Sequence, residues 1–192
     1  MVLPVYIYGH PVLRAPNRDV TPDFPNLAQT IQNMKDTMYA TDGIGIAAPQ
    51  VGINARIVYI DVDQLSKDMP ELKDVRLTLI NPEITVDETG KTTTREEGCL
   101  SIPGIHENVD RYEKIHIEYL DENFQPHQAD IEGFLARVVQ HECDHLQQTL
   151  FVDRISPIRK QLVRARLANM AKGKVNCDYR VVTAPRHPKP KK

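Results

Sequence analysis

The chain has 192 residues, a formal net charge of −2, 41% hydrophobic residues and 26% charged residues. That length supports one domain with a sizeable core, and the near-neutral balance gives no general attraction to DNA. No apolar run approaches the roughly 20 residues of a membrane span, the start "MVLPVYIYGHPVLR" lacks a basic region and a small-residue cleavage site, and three cysteines cannot all pair, so a reducing cytoplasm is expected.

In chain order, "DFPNLAQTIQNMKDTMYA" places Leu27, Ile31, Met34 and Met38 at helical spacing and predicts a helix over residues 25–40, with Pro25 in its first turn. Glycines break the pattern in "TDGIGIAAPQVG". "ARIVYIDV" and "LTLINPEITVDE" are rich in β-branched residues, and Pro82 is expected to separate two strands in the second. "YEKIHIEYLDENFQPHQADIEG" predicts a hairpin: Ile115, Ile117 and Tyr119 alternate with polar residues, and the turn falls at Asp121. From Gly133 the period becomes helical and carries "FLARVVQHECDHLQQ". "SPIRKQLVRARLANMAKG" predicts a last helix, capped by Ser156, begun by Pro157 and ended by Gly173. Strands grouped between helices argue for an α+β fold.

The stretch "QHECDHL" (residues 140–146) carries the chemistry. Residues four apart on a helix lie about 40° apart around its axis, so His141 and His145 can address one cation. Glu142 lies about 60° from His145 on the same cylinder and can flank that cation. Phe134 and Val138 share the face, so the pair emerges from an apolar stripe. Histidines at this spacing are also common without a metal; a glutamate directly after the first strengthens the metal reading. Cys143 points about 160° away from His145 and reads as a small buried hydrophobe. Cys177 sits in a basic tail that would have to fold back. Cys99, in "REEGCLSIPG", is the remaining candidate, although taken alone it reads as a buried free cysteine. Two imidazoles and one thiolate leave one tetrahedral position open, the mark of a catalytic rather than a structural site. In "GIGIAAPQVG", Gly43 and Gly45 permit close approach of another backbone, and Gln50 offers an amide donor; the segment lacks the spacing of a phosphate loop.

Taken together and in this order, "GIGIAAPQ", "EGCLS" and "QHECDH" resemble the three signature motifs of peptide deformylases, and the resemblance runs from about "GHPVLR" to "FVDRISPIRK". It implies an enzyme that removes the formyl group from the N-terminal formyl-methionine of newly made polypeptides. It implies small antiparallel sheets around a central metal-binding helix, with a C-terminal helix. The implied metal ligands are Cys99, His141 and His145. The implied catalytic group is Glu142, Gln50, Leu100 and Gly45: Glu142 moves the proton, and the Gln50 amide and Leu100 backbone N–H donate to the oxyanion. A divalent metal there lowers the pKa of water toward ~7. Ferrous iron is the implied native ion, with Zn2+, Ni2+ or Co2+ able to replace it. Ile44, Phe134 and Val138 are implied as a slot for the methionine, with Gly43 and Gly98 pairing with the peptide backbone. Arg111 is implied as the partner of Asp144. Two positions depart from the pattern: His106 stands where many bacterial members carry arginine, and Arg137 where an apolar residue is more usual.

Two other readings fit parts of the sequence. A zinc peptidase of the H-E-x-x-H kind would take a downstream Glu, His or Asp as third ligand. A non-enzymatic, metal-stabilised interaction module would need a fourth protein ligand such as Cys177. Residues 1–172 are expected as one catalytic domain and 173–192 as a basic, flexible tail. That tail, "GKVNCDYRVVTAPRHPKPKK", holds six Lys/Arg and one Asp. With the basic helix before it, it suggests contact with ribosomal RNA where the formyl-Met polypeptides emerge.

Overall fold

The computed structural model describes residues 1–185. In chain order its elements are β1 (Val5–Tyr6), α1 (Leu27–Ala40), β2 (Gly45–Ala47), β3 (Ile57–Asp61), β4 (Arg76–Thr85), β5 (Thr92–Glu97), β6 (Glu107–Tyr112), β7 (Lys114–Leu120), β8 (Pro126–Glu132), α2 (Gly133–Leu146), α3 (Phe151–Arg154), α4 (Pro157–Ala171) and β9 (Val181–Val182). The fold is α+β. An antiparallel five-stranded sheet runs in the order β2-β3-β4-β7-β8, β5 and β6 form a separate antiparallel pair, and β1 pairs in parallel with β9.

Burial follows the sequence pattern. Strand β3 lies between β2 and β4 and is buried along its whole length, as the apolar run 57–60 demands, with Asp61 at its end paired to Arg76 at 2.9 Å. In β7, Ile115 and Ile117 point into the core while their polar neighbours do not. Helix α2 lays Val138, Val139, Cys143 and Leu146 against Ala47, Val58, Ile115 and Ile117. Helix α1 packs Ile31, Met34 and Met38 with Ile46, Ile57 and Ile80, and α4 packs Val163, Leu167 and Met170 with Ile7, Ile102 and Phe151. No helix among the described residues is long and apolar enough to cross a membrane.

Pro82 does not separate two strands. Residues Arg76–Thr85 form one strand whose pairing with β7 shifts register between Ile80 and Glu83. The missing proline N–H falls inside this bulge, where no ladder bond is lost. Asn81 turns there with φ 50° and braces the bulge through its side chain, which accepts from Val20 N at 2.8 Å and donates to Val20 O at 2.9 Å.

The segment after α4 also departs from expectation. Ser156 caps α4 and Gly173 ends it with φ 78°, but the chain then folds back on the body. Val5 N donates to Arg180 O at 2.8 Å and Ile7 N to Val182 O at 3.1 Å. Val175 and Val181 pack on the core beneath α4. Those apolar residues among the basic ones supply the reason, since each gains burial only by returning to the body. The cationic end, residues 186–192, on which the ribosome expectation chiefly falls, lies outside the described residues.

Candidate active site

Helix α2 brings two imidazoles to one place, with ring centroids 5.5 Å apart. The loop after β5 brings the third donor: Cys99 Sγ lies 3.3 Å from His145 Nε2. One donor atom each from Cys99, His141 and His145 falls within 4.8 Å of the others. Ligands about 2.0–2.3 Å from a tetrahedral ion stand roughly 3.3–3.6 Å apart, so these three fit one small divalent cation with little movement. Among the described residues no fourth Cys, His, Asp or Glu joins the group. Cys177 is therefore not a ligand, and neither is Cys143, which is buried on the opposite side of α2 with its thiol pushed well up by burial.

The electrostatics suit a cation. Burial holds His145 well below its ordinary pKa, so its ring is neutral and free to ligate. Burial opposes a charge on His141 too, but bonds to Cys99 and Glu97 outweigh it and hold this group well above the ordinary value. A metal on Nε2 would take the place of that proton. Glu142 is buried beside the histidines, its Oε2 has no hydrogen-bond partner among the described residues, and burial pushes its carboxyl up to about 7. A cation on the three donors would draw that value down again.

The local backbone is shaped around Glu142. A Cβ on Gly45 would stand 2.6 Å from Glu142 Oε1 and 2.9 Å from its Cγ, so only glycine lets β2 approach this carboxylate. Gln50 is buried, with Oε1 accepting from Ala47 N at 2.8 Å and Nε2 donating toward Cys99 Sγ at 3.5 Å. The Leu100 N–H makes no hydrogen bond among the described residues.

Of the catalytic, substrate-binding and metal residues implied from sequence, all but the deeper-lying His145 line one cleft of about 590 Å³: Gly43, Ile44, Gly45 and Gln50 on one side, Gly98, Cys99 and Leu100 on another, Phe134, Val138, His141 and Glu142 from α2. His106 also lines it and covers Gly98, where a Cβ would meet its ring at 2.6 Å.

One residue the sequence analysis passed over is Glu97. Its carboxylate accepts from His141 Nδ1 at 2.9 Å, from Arg111 Nε at 3.0 Å and Nη2 at 2.9 Å, and from Arg137 Nη1 at 2.7 Å. Burial would raise its pKa, but these bonds prevail and hold it far below the usual carboxylate range. Arg111 continues the network to Asp144 at 2.5 Å. Arg137 is not a substitute for an apolar contact. It is buried with both Nη atoms engaged, donating also to Val109 O at 2.9 Å and Thr93 O at 2.5 Å. The available signal was an arginine inside an otherwise apolar helical stripe, which demands a buried acid nearby.

Fold and site together point to a class, the metal-dependent hydrolases, with a loop cysteine standing beside a helical histidine pair as a group that could hold a metal ion. The polypeptide deformylase family model matches residues 2–161. The peptide deformylase of Christiangramia forsetii is 45% identical over 188 residues, covering 94% of this chain and 95% of that one. That of Flavobacterium johnsoniae is 44% identical over 188 residues, with the same coverage. A solved peptide deformylase from Legionella pneumophila superposes with a TM-score of 0.77 at 33% identity, covering 91% of this chain and 98% of that one. Peptide deformylase 1B of Arabidopsis thaliana gives 0.79 at 32% identity, with 89% and 91% covered. The chain belongs to the peptide deformylase family. It removes the N-formyl group from the formyl-methionine of nascent polypeptides, and the expectation of a zinc peptidase or a non-enzymatic module gives way to that activity.

Proposed function

We propose that Cys99, His141 and His145 hold one divalent metal, natively Fe2+, and that Glu142 is the proton carrier of deformylation. Zn2+, Ni2+ or Co2+ suits the same donor set of one thiolate and two imidazoles. When bound, the metal makes water acidic enough to attack near neutral pH and polarises the formyl oxygen. Glu142 takes the proton released as the water oxygen bonds to the formyl carbon, then delivers it to the amine nitrogen as the C–N bond breaks. Formate and a free amino terminus leave. The Gln50 amide and Leu100 N–H donate to the oxyanion between these steps, a contribution worth ~10²–10³ in turnover per donor. Gly45 leaves room for Glu142 to stand between water and substrate.

The methionine side chain enters the slot formed by Ile44, Phe134 and Val138, and the peptide runs as an added strand between Gly43 and Gly98. The observation that carries this reading is the meeting of three metal donors and one unpartnered buried carboxylate in a single cleft. Residues 1–172, together with the segment that folds back onto them, serve as one catalytic domain acting in the cytoplasm. Exposed Arg164, Lys172 and Lys174, with the cationic end, favour contact with ribosomal RNA. The catalytic reading is tested by formate release from a formyl-Met peptide, using protein purified without oxygen and assayed for its metal. One equivalent of iron and steady turnover are expected; turnover that persists after complete metal removal contradicts it.

A further inference from the structure

The last described segment builds part of the cleft. The family match ends at residue 161, yet Asn176, Cys177, Asp178 and Tyr179 line the same cavity as Cys99 and Glu142. The segment is a strap anchored at both ends: Val175 and Val181 pack on the core, and the carbonyls of Arg180 and Val182 accept from the backbone N–H groups of Val5 and Ile7. Between these anchors the half-buried Tyr179 donates its hydroxyl to Leu100 O at 2.7 Å. Burial pushes that phenol well up, so it stays a donor throughout the working pH range. The side chains of Asn176 and Asp178 are exposed at the mouth of the cleft and make no hydrogen bond among the described residues.

We propose that residues 176–179 form a wall of the peptide cleft that contacts the nascent chain beyond its formyl-methionine, and that Tyr179 is the positioning residue tying this wall to Leu100. The methionine slot and the buried carboxylate occupy the floor of the cleft, so the rest of the peptide leaves through the mouth that the strap borders. The Asn176 amide and Asp178 carboxylate at that mouth, without a partner among the described residues, match the alternating donors and acceptors of an extended peptide. The tie to Leu100 has a second effect. It holds the Leu100–Ser101 peptide plane, next to the plane that carries the Leu100 N–H, whose carbonyl, Cys99 O, accepts from Ile102 N at 2.8 Å, so the strap braces the short loop that presents the oxyanion donor. This inference rests on the cleft assigned above.

The test compares kcat/KM of the full-length, metal-loaded enzyme on formyl-Met-Ala-amide and on formyl-Met-Ala-Ser-Ala-amide. The double variant Asn176→Ala/Asp178→Ala is expected to lower the long-to-short ratio about three- to tenfold through KM, the scale of one or two lost hydrogen bonds. Tyr179→Phe keeps the ring and removes the tie, and is expected to lower kcat on both peptides by a similar factor. The proposal is overturned if the double variant keeps the wild-type ratio, or if Tyr179→Phe changes the melting temperature and leaves kcat untouched. Wild-type turnover of the short peptide reports separately on the assignment of the cleft itself.

Discussion

Oε2 of Glu97 lies 2.9 Å from Nδ1 of His141. With Nδ1 engaged, the ring can offer only Nε2 to a cation, which fixes both tautomer and orientation. The same carboxylate pairs with both Arg111 and Arg137 in the interior, and Arg111 shares its charge with Asp144 as well. Glu97→Ala therefore strips one partner from three buried groups. It is expected to cost about 3–5 kcal/mol of stability and ~10–100-fold in metal affinity, read by denaturant unfolding and metal titration. An unchanged unfolding midpoint would remove Glu97 from its central place.

Gly45 and Glu142 form a steric pair. Gly45→Ala would set a methyl 2.6 Å from Glu142 Oε1, and either β2 or the carboxylate must shift. The variant is expected to fold and keep its metal while turnover falls about 10²-fold, the usual scale for misplacing a reacting group by about 1 Å. Normal turnover would mean that Glu142 does not work from the position described.

What was legible in the sequence was local. The four-residue spacing of His141 and His145 placed them on one helical face, and the alternation around Ile115 and Ile117 gave a hairpin. Glu97 was not legible because its partner His141 is 44 residues away and nothing in the spacing between them is periodic. Two strands of two residues each, Val5–Tyr6 and Val181–Val182, close the ends of the chain together. Such short pieces carry no alternation to read, so the segment passed for a loose tail. Pro82 misled for a different reason: a proline ends a strand only where its N–H is needed, and here a bulge removes that need.

The ligand assignment predicts different outcomes for two cysteines. Cys99→Ala should lose the metal and the activity together. Cys143→Ala removes a buried sulfur on the far side of α2 and should keep both, at a cost of about 1 kcal/mol in stability for the small cavity. Elemental analysis decides between them, and equal metal loss in the two variants would break the assignment.

The cationic end addresses a separate question. Removing residues from Ala184 onward deletes four Lys/Arg and no residue of the proposed catalytic machinery. Turnover on a short formyl-Met peptide should be unchanged, while co-sedimentation with ribosomes weakens, most plainly at low salt. Equal co-sedimentation of both proteins across a salt series would leave the basic end with no role in docking.

The central claim is that Glu142 moves the proton without ligating the metal. The most direct measurement is the metal content and formate release of Glu142→Ala side by side. The account predicts one equivalent of metal, as in the wild type, with deformylation nearly abolished. An active Glu142→Ala enzyme, or one that loses its metal, would contradict it.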